Sequence, residues 1–466
     1  MNIDEIDKLS STEKRAAASL ASIYSLRMLG LFMIFPVFSL YGQELEGNTP
    51  FLIGLAIGAY GLTQAIFQIP FGMLSDKLGR KPVIVAGMLI FALGSVVAAM
   101  ADSIYGVILG RIIQGSGAVA AAVMALAADL TREEHRLKIM ATIGMSIGFA
   151  FAIAMVAGSV LNELIGVPGM FWLTAVFALL GVAVTLFWVP NATQSFHRET
   201  EPVPEQFKSI LKDQQLLRLD AGIMILHMVL TATFLVMPIA LVNEQHVNLP
   251  SSEHWKIYLP VMILAMGLMI PFIIIAENKR RMKEVFNGAI IVIALSELGF
   301  WAFHDSLYAM VFFILIFFSA FNLLEASLPS LIAKMSPAEA KGTAMGVYST
   351  SQFLGAFFGG VIGGKILGVY GIGGVFLFAM MMTIVWSFLA MTMKSPRYLS
   401  SYVVKLTSVT EQDAPSVTAE LTRICGVAEV VVIPEDGAAY LKVEIHALDK
   451  VQLKEFSLRF SQEDNK

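Results

Sequence analysis

Long apolar runs separated by short polar stretches make up most of the chain. A run of about 20 apolar residues is long enough to cross a bilayer as a helix. The longest polar interruption, residues 191–217, contains Pro202 and Pro204 and divides the runs into two groups of six. The pattern predicts twelve membrane-spanning helices, at residues 16–41, 51–75, 82–101, 104–130, 137–164, 168–189, 218–243, 255–276, 284–303, 306–334, 339–368 and 371–394.

The composition agrees with a chain embedded in a membrane. Hydrophobic residues make up 56% of the sequence and charged residues 15%, with a mean hydropathy of +0.72, whereas soluble domains are about a quarter charged. A formal charge of −4 argues against a nucleic-acid partner. The sequence contains no Gly-x-x-x-x-Gly-Lys-Ser/Thr phosphate-binding loop and no catalytic constellation. We therefore expect neither an enzyme nor a cofactor, and no direct use of ATP.

Basic residues collect at alternate ends of the predicted spans. Cytoplasmic loops of membrane proteins are enriched in Lys and Arg, so this asymmetry predicts that both termini and the central linker are cytoplasmic. The opposite side carries mainly acids, with Lys256 and Lys365 as the few nearby bases. The basic residues on the predicted cytoplasmic side are Lys14, Arg15, Lys77, Arg80, Lys81, Arg132, Arg136, Lys138, Lys279, Arg280, Arg281, Lys283, Lys334, Lys341, Lys394 and Arg397.

A short sequence recurs after the second span of each group of six. Ile69-Pro70-Phe71 is echoed by Ile270-Pro271-Phe272, and each is followed by an acid, Asp76 or Glu277, and a basic cluster. Duplicated six-helix units are common in secondary transporters, whose substrate site lies near the bilayer midplane between the repeats. The echo therefore predicts a parallel duplication of one six-helix unit.

The tail of the chain has the water-compatible pattern of a small α+β domain. Residues 402–406 predict a strand, residues 413–424 a helix, and residues 430–446 a hairpin that turns at Glu435-Asp436-Gly437. A last helix follows, and the order β-α-β-β-α predicts a ferredoxin-like domain without its final strand. Cys425 and His446 alone do not make a metal site.

The chain is thus expected to consist of four parts. These are an N-terminal six-helix half, a cytoplasmic linker, a C-terminal six-helix half and a cytoplasmic ferredoxin-like domain, at residues 1–190, 191–217, 218–397 and 398–466.

Two motifs resemble the signatures of a known family. Residues 72–81, Gly-Met-Leu-Ser-Asp-Lys-Leu-Gly-Arg-Lys, lie between the second and third spans, and Arg111-x-x-Gln-Gly-x-Gly117 begins the fourth. With the duplicated half, the chain resembles the major facilitator superfamily over residues 16–394, and in particular its drug/proton antiporters. Residues 342–355 and the tail domain resemble a bacterial type with a C-terminal ferredoxin-like domain called YAM. The resemblance implies the major facilitator fold, in the bacterial inner membrane, working by rocker-switch alternating access.

The loop between the second and third spans is expected to act as a conformational latch. Free N–H groups at a helix N-terminus favour an anion, and the resemblance implies that Asp76 docks on the start of span eleven in the outward-facing state. It also implies that Arg80 pairs with Asp129. The alternative is that the bases only fix topology, although an acid among them adds nothing to topology. The expected latch residues are Gly72, Asp76, Gly79, Arg80, Lys81, Asp129, Gly342 and Gly346.

Polar residues also interrupt four of the predicted spans. A charge inside a span is costly and by default faces a cavity or a partner. The resemblance implies that spans one, four, seven and ten line the central cavity. We expect the group that forms the cavity and couples protons to consist of Arg27, Arg111, Gln114, His227, Asn322 and Glu325.

Glu325 is the expected proton carrier, because a carboxyl inside a span can exchange a proton as its exposure alternates. The alternative is a permanent ion pair between Glu325 and Arg27 or Arg111. His227 titrates near neutral pH when unperturbed, but a histidine held by a neighbouring hydroxyl such as Thr231 is an equal alternative. The resemblance implicates Arg111 in proton transfer through a nearby acid.

Two residues of the fifth span depart from the drug-antiporter pattern. Gly158-Ser159 stands where Gly-Pro is common, and Ala154 replaces a further glycine.

Glu297, in the ninth span, is expected to pack against a neighbouring helix in a structural role.

The expected function is proton-coupled efflux antiport of a small molecule. The direction of transport and the substrate stay open. The alternatives are a symporter or uniporter of the same fold, or a transporter-derived membrane sensor with the tail domain as its output. The expected partners are the substrate, protons and membrane lipid. We expect a monomer whose tail domain serves regulation or self-association.

Overall fold

The structure is a computed structural model. The residues that it describes are 9–191, 208–243, 247–337, 340–394, 400–406, 409–410, 413–434, 437–444 and 447–461. The chain divides into two compact units, Met1–Lys394 and Ser395–Lys466. Most of the predicted linker, the turn residues Glu435 and Asp436, and His446 lie outside the described residues.

The first unit is built of helices. Nine helical stretches of its described residues are long and apolar enough to cross a membrane. The helices are α1 (Ser11–Phe32), α2 (Phe38–Glu44), α3 (Pro50–Leu78), α4 (Arg80–Ala99), α5 (Ile104–Ser116), α6 (Ala120–Asp129), α7 (Glu133–Phe187), α8 (Gln214–Val242), α9 (Trp255–Asn278), α10 (Met282–Phe303), α11 (Leu307–Met335) and α12 (Lys341–Met391).

The two longest helices are each interrupted at a glycine. Helix α7 has 55 residues and α12 has 51, and the backbone leaves the helical region at Gly166 (φ 65°) and Gly371 (φ 68°). Glycine adopts positive φ without the steric cost that a Cβ brings. Each helix therefore consists of two arms that meet at this glycine. Gly166 lies between two predicted spans, and Gly371 is the first residue of a predicted span.

The connections of this unit meet at two ends. We call the end with the Gly79 turn and the loops 130–132 and 279–281 the basic end. There, Arg132 donates to Glu13 at the start of α1. We call the opposite end, with the turns at Glu46 and Asp102, the acidic end. The Ile104 N–H donates to the Glu46 carbonyl across it, at 3.1 Å.

Helix α3 and the first arm of α12 pack tightly toward the acidic end. A Cβ built at Gly58 lies 2.8 Å from the Phe357 carbonyl, and one at Gly54 meets the Gly360 carbonyl even more closely. Only glycine allows two helix backbones to approach this far. The N-terminal and C-terminal parts of the unit are therefore in direct backbone contact there.

Aromatic rings continue this contact across the unit. The Phe151 ring of α7 lies 6.0 Å from Phe318 and 6.1 Å from Phe321 of α11, and Phe35 lies 6.4 Å from Phe234 of α8. We call these five phenylalanines the aromatic seal. Ring pairs at such distances contribute beyond their buried area, so the seal joins the two parts of the unit.

The unit is more open on the basic side of the seal. A Cβ built at Gly144 or Gly148 of α7, or at Gly346 of α12, meets no atom within 4 Å. The later half of α9 is also largely exposed, from Ile263 to Ile274. The N-terminal and C-terminal parts are thus in backbone contact toward the acidic end, whereas the faces of α7 and α12 at these three glycines are uncovered on the basic side of the seal.

The second unit contains a three-stranded sheet and two helices. The elements are β1 (Ser400–Lys405), α13 (Ala414–Thr422), β2 (Val427–Ile433), β3 (Ala438–Val443) and α14 (Lys450–Ser461). Strand β3 lies between β1 and β2 and is antiparallel to both. Its inward side chains Leu441 and Val443 pack in a core with Leu421 of α13 and Phe456 of α14.

Candidate functional site

Arg80 holds the predicted latch loop together. Its Nε donates to Asp129 Oδ2 at 3.0 Å, and its Nη1 donates to Ser75 Oγ at 2.7 Å and to Asp76 Oδ1. The side chains of Arg80, Asp76 and Asp129 are all less than one fifth exposed. Gly79, with φ 93°, makes the turn that brings the start of α4 back to these acids. One guanidinium thus joins the ends of α3, α4 and α6.

Two further latch residues make contacts within the same part of the unit. Lys81 Nζ donates to the Val189 carbonyl at 2.7 Å and to Asn191 Oδ1 at 2.6 Å, so it connects α4 to the end of α7 rather than to the acids. A Cβ built at Gly72 would lie 3.3 Å from Ala121, which places α3 close to α6. Both residues therefore support the packing around the loop.

The other two latch residues lie in the first two turns of α12. Gly342 follows the first residue of this helix. Gly346, one turn later, has open space on its Cβ side. The face of α12 at Gly346 is thus uncovered in this structure.

The echo of the latch loop has its own ion pair. Glu277, near the end of α9, accepts two hydrogen bonds from Lys334 Nζ of α11, at 2.7 and 2.8 Å. In the latch loop the base Arg80 pairs with an acid, Asp129, at the end of α6. In the echo the acid Glu277 pairs with a base, Lys334, at the end of α11. Both side chains are more than one quarter exposed, so this pair contributes at most about 1 kcal/mol. The two halves are therefore held unequally.

The buried carboxylate of Glu13 forms an ion pair with Arg132, whose side chain is 40% exposed, and neither this pair nor its role was predicted from the sequence. The Glu13 carboxylate accepts from the backbone N–H of Arg132 and from the Arg132 guanidinium, all at 3.0–3.1 Å, and it caps α1 through Ser10. Burial opposes its ionisation, but the hydrogen bonds from Arg132 and Ser10 outweigh burial and lower the pKa of Glu13 to about 2. The carboxylate precedes the predicted first span and ties α1 to the loop before α7.

We expect Glu13→Gln to lower the free energy of unfolding by about 2–3 kcal/mol at neutral pH. Because the folded pKa lies below the ordinary value of 4.5, this stability is present above pH 4.5 and is lost as the pH falls toward 2. Unfolding in detergent across this pH range measures the difference. Glu277→Gln is the control, since its exposed pair is worth far less. Equal losses in both variants would contradict this account.

Arg27 lies in the interior of the N-terminal part. Its Nη2 donates to Tyr60 Oη at 2.9 Å, Gln64 Oε1 at 2.6 Å and the Gly117 carbonyl at 3.1 Å. The guanidinium also lies 5.5 Å from the centre of the Phe91 ring. This cation is therefore held by neutral acceptors and aromatic faces, and its side chain is only 1% exposed.

Arg111 and Gln114 lie on the other side of the same tyrosine. The Arg111 guanidinium lies 5.0 Å from the centre of the Tyr60 ring and donates to Gln114 Oε1 at 3.0 Å. Gln114 Nε2 donates in turn to Ser95 Oγ at 2.7 Å. Arg27, Arg111 and Gln114 are all buried, and their contacts connect α1, α3, α4 and α5. Neither arginine contacts Glu325, and the ion pair considered as an alternative is not formed here.

Glu325 and His227 meet at Gln352 in the C-terminal part. Gln352 Nε2 donates to Glu325 Oε1 at 3.2 Å and lies 2.8 Å from His227 Nε2. The His227 and Glu325 side chains themselves approach to 3.8 Å. Thr231, considered as the partner of His227, is buried with no hydrogen-bond partner for its hydroxyl among the described residues. The partner of the histidine is thus a glutamine from α12.

The Glu325 carboxyl lies immediately on the basic side of the aromatic seal. Phe321 precedes it by one turn on the same face of α11, and the His227 ring is 6.0 Å from Phe321. The side chain of Glu325 is 36% exposed, although its Oε2 atom is buried without a hydrogen bond. Asn322 also lies in this turn of α11 and is partly buried. Glu325 therefore borders both packed helices and open space.

Glu297 is enclosed deeper in the bundle. It is fully buried on α10, and Thr233 Oγ1 of α8 donates to its Oε1 at 2.6 Å. It therefore packs against a neighbouring helix, although its Oε2 atom has no hydrogen-bond partner in the described part of the chain.

The residues that hold the predicted polar side chains were not predicted from the sequence, and they include Tyr60, Gln64 and Gln352. Gln64 and Gln68 stand one helical turn apart in an otherwise apolar span and hydrogen-bond to each other at 2.8 Å. That spacing is a signal of a buried polar face that could have been used. Gln352 carries no such signal, since its partners lie 27 and 125 residues away along the chain.

A bundle of apolar helices that is packed at one end, open at the other and charged within defines a membrane transport protein. The sequence profile of the Major Facilitator Superfamily matches residues 20–318 and 261–401. The chain belongs to this family, and it is a transporter rather than an enzyme.

Known proteins place the chain more narrowly. It is 47% identical over 450 residues to the inner membrane transport protein YajR of Escherichia coli (strain K12), covering 96% of this chain and 98% of that protein. The bacterial type expected from the motifs and the tail is thereby confirmed, and the chain is an inner membrane transporter. It is also 27% identical over 333 residues to the multidrug resistance protein MdtH of Yersinia enterocolitica, covering 71% of this chain and 81% of that protein.

A solved structure shares the fold. A bacterial homologue of the human lysosomal transporter Spinster, in an inward-facing and occupied conformation, superposes with a TM-score of 0.66 at 12% identity, over 82% of this chain and 97% of that one. The two chains therefore share a fold over most of their length.

Proposed function

We propose that this protein is a proton-coupled secondary transporter that exports a small molecule in exchange for protons by rocker-switch alternating access. The observation that carries the proposal is the Glu325 carboxyl, which borders open space at the edge of the aromatic seal. Its described neighbours are Gln352 and His227, and it forms no ion pair with Lys or Arg in the described part of the chain. Such a carboxyl can change its charge as its surroundings change.

The coupling follows from the cost of burying a charge. Closing the basic end would take the ionised Glu325 out of water, and a buried charge without a cation is costly. A bound proton removes the charge, and a bound substrate can compensate for it. The transporter with neither proton nor substrate bound is therefore the form in which the basic end closes least readily. Because closure requires either a proton or the substrate, the movement of one is coupled to the movement of the other.

The direction of transport is supported by the drug-antiporter likeness. The relative MdtH carries multidrug resistance in its name, and the latch motif resembles that of drug/proton antiporters. We therefore propose efflux, although Gly158-Ser159 departs from the usual motif of the fifth span.

The same proposal includes the arrangement in the membrane. The two arms of α7 and of α12, α1 with α2, and α5 with α6 would make twelve spans in two halves. Both termini would be cytoplasmic, so the basic end would face the cytoplasm. The central position of β3 between β1 and β2 supports a ferredoxin-like domain without its last strand. We propose a monomer in lipid, with this domain in regulation or self-association.

Transport under an imposed pH gradient tests the proposed function. Compounds that raise the melting temperature of the purified protein are first selected from a broad screen. Proteoliposomes without ATP are then given a pH gradient, and accumulation of the selected compound is measured. Movement against the proton flow supports antiport, movement with it indicates symport, and movement indifferent to the gradient indicates a uniporter. A protein that binds compounds but transports none would be a sensor.

We expect Asp76→Asn to lower the transport rate about 10-fold without reducing the amount of protein in the membrane. A charge at a helix N-terminus is worth up to about 2 kcal/mol, and the outward-facing state would lose this contact in addition to the charged bond between Asp76 and Arg80. Transport is measured at equal protein content, with Lys77→Gln as the control that removes a neighbouring charge of the same loop. Wild-type activity of Asp76→Asn would refute the latch.

A further inference from the structure

We propose that Asp220 is a second proton-binding carboxyl of the transporter, which takes up the proton from Glu325 through the Tyr348 hydroxyl and passes it to water at the basic end. This inference rests on the proposed function, in which Glu325 carries the proton. It assigns a role to a residue outside the group around Glu325, Gln352 and His227.

Asp220 is a buried carboxyl without a partner. It lies in the second turn of α8 and is 5% exposed. Both of its carboxylate oxygens lack a hydrogen-bond partner among the described residues. Buried polar groups in proteins are normally hydrogen-bonded, and each exception calls for an explanation. Because it makes no hydrogen bond among the described residues, this carboxyl does not stabilise the fold through a polar contact.

The position along α8 places Asp220 between Glu325 and the basic end. His227, which contacts the Glu325 group, follows Asp220 by seven residues, which is two helical turns or about 10 Å on the same face. The helix begins at Gln214, so Asp220 is about 9 Å from its start. The start of α8 belongs to the basic end, because Gln215 Oε1 accepts from the Lys394 N–H after α12.

Tyr348 is a buried residue of α12 within electrostatic range of both acids. A Cβ built at Gly355 of α12 meets the Met224 carbonyl of α8, and Tyr348 precedes Gly355 by two turns on the same face. The phenol therefore faces α8. It is 3% exposed, its hydroxyl has no hydrogen-bond partner in the described chain, and both Glu325 and Asp220 lie within electrostatic range of it.

A hydroxyl in this position can relay a proton without changing its own charge. The Tyr348 hydroxyl is hydrogen-bonded to neither acid among the described residues. When the side chains approach, it would donate its proton to the Asp220 carboxylate and receive one from the Glu325 carboxyl. One O–H bond breaks and one forms at each step, so the summed charge of the two acids stays constant until Asp220 releases its proton to water. Glu325 is thereby left ionised, as the proposed cycle requires before substrate binds.

The other charged groups near Asp220 leave its charge uncompensated. On its own helix, Arg218 is partly buried, and its Nη1 atom has no hydrogen-bond partner within the described residues. From α12, the groups that face this region are Tyr348 on the first arm and Lys394 after the second. The indole of Trp386, on the second arm, covers Gly222 of α8 with a neutral ring.

Infrared difference spectroscopy of the full chain in liposomes tests the inference, with pH as the only variable. Protonated carboxyls absorb separately from carboxylates, and Glu325→Gln assigns the band of Glu325. We expect Asp220→Asn to remove a second titrating band and to shift the midpoint of the Glu325 band by about half a pH unit or more, because interacting acids titrate as a pair. Tyr348→Phe should keep both bands and slow the response of Glu325 to a pH jump.

Asp213→Asn is the matched control. Asp213 precedes the same helix and accepts from the Gln215 and Leu216 N–H groups, so its replacement should change neither band. Asp220→Glu, which keeps the carboxyl, should retain both. The inference is overturned if Asp220→Asn leaves the titrating bands and the Glu325 midpoint as in the wild type. That infrared result would leave the proposed function intact, because proton-coupled transport could still depend on Glu325. Conversely, a transport assay that shows no coupling to protons would refute the proposed function without changing the infrared bands.

Discussion

Glu325→Gln is expected to lower proton-driven accumulation of substrate by about 100-fold or more, in the range found when a group that transfers protons is removed. Glutamine keeps the size and the hydrogen-bonding capacity of the side chain but cannot bind and release a proton. The contact with Gln352 at 3.2 Å can therefore persist, and the protein should fold. Exchange of substrate across the membrane without a pH gradient should continue, because closure no longer depends on a proton.

Two controls separate coupling from damage to the fold. Glu325→Asp keeps a carboxyl and should retain part of the accumulation. Glu297→Gln removes another buried acid of the same half, which is held by Thr233 at 2.6 Å, and should change stability more than the pH dependence of transport. Proton-driven accumulation at the wild-type level in Glu325→Gln would show that the proton is carried elsewhere.

Arg80→Leu is expected to lower the free energy of unfolding by about 3–5 kcal/mol, the cost of breaking a buried ion pair from one side. The substitution removes the guanidinium from Asp129, which is 8% exposed, and it also removes the bonds to Ser75 and Asp76. Denaturant unfolding in detergent, followed by circular dichroism, measures the loss.

The neighbouring Lys81 provides the control for Arg80. Lys81→Leu removes a charge of the same sign from the same loop, but its bonds go to Val189 and Asn191, and its loss should be near 1 kcal/mol. Adding Asp129→Asn to Arg80→Leu should recover part of the stability, because the unpaired charge is then gone. Equal losses for Arg80→Leu and Lys81→Leu, or no recovery in the double variant, would contradict the assigned pairing.

The sequence was sufficient for those parts of the fold that depend on local pattern. The predicted spans 137–164 and 168–189 lie on either side of Gly166, and the predicted boundary between the spans 339–368 and 371–394 coincides with the break at Gly371. In the second unit the predicted order of strands and helices agrees with the observed elements. These features follow from runs of apolar residues and from glycines, which act on the chain within a few residues.

The candidate site was less predictable because its contacts are distant along the chain. Gln352 is neutral and lies in a stretch of small polar residues, so nothing near it indicates a contact with His227. Asp220 lies close to a span end, where charged residues ordinarily meet water, and only the packing of α12 shows that it is buried. Arg27 and Arg111 could be recognised as charges inside spans, but the sequence does not show that the ring of Tyr60 lies near both guanidinium groups.

Proton movement driven by the substrate tests the central claim most directly. Wild-type protein is placed in liposomes with a trapped pH indicator and no ATP, and a transported compound is added to one side. The account predicts that the internal pH changes as the compound crosses and that Glu325→Gln abolishes the change. Transport of the compound at a constant internal pH in the wild type would contradict it.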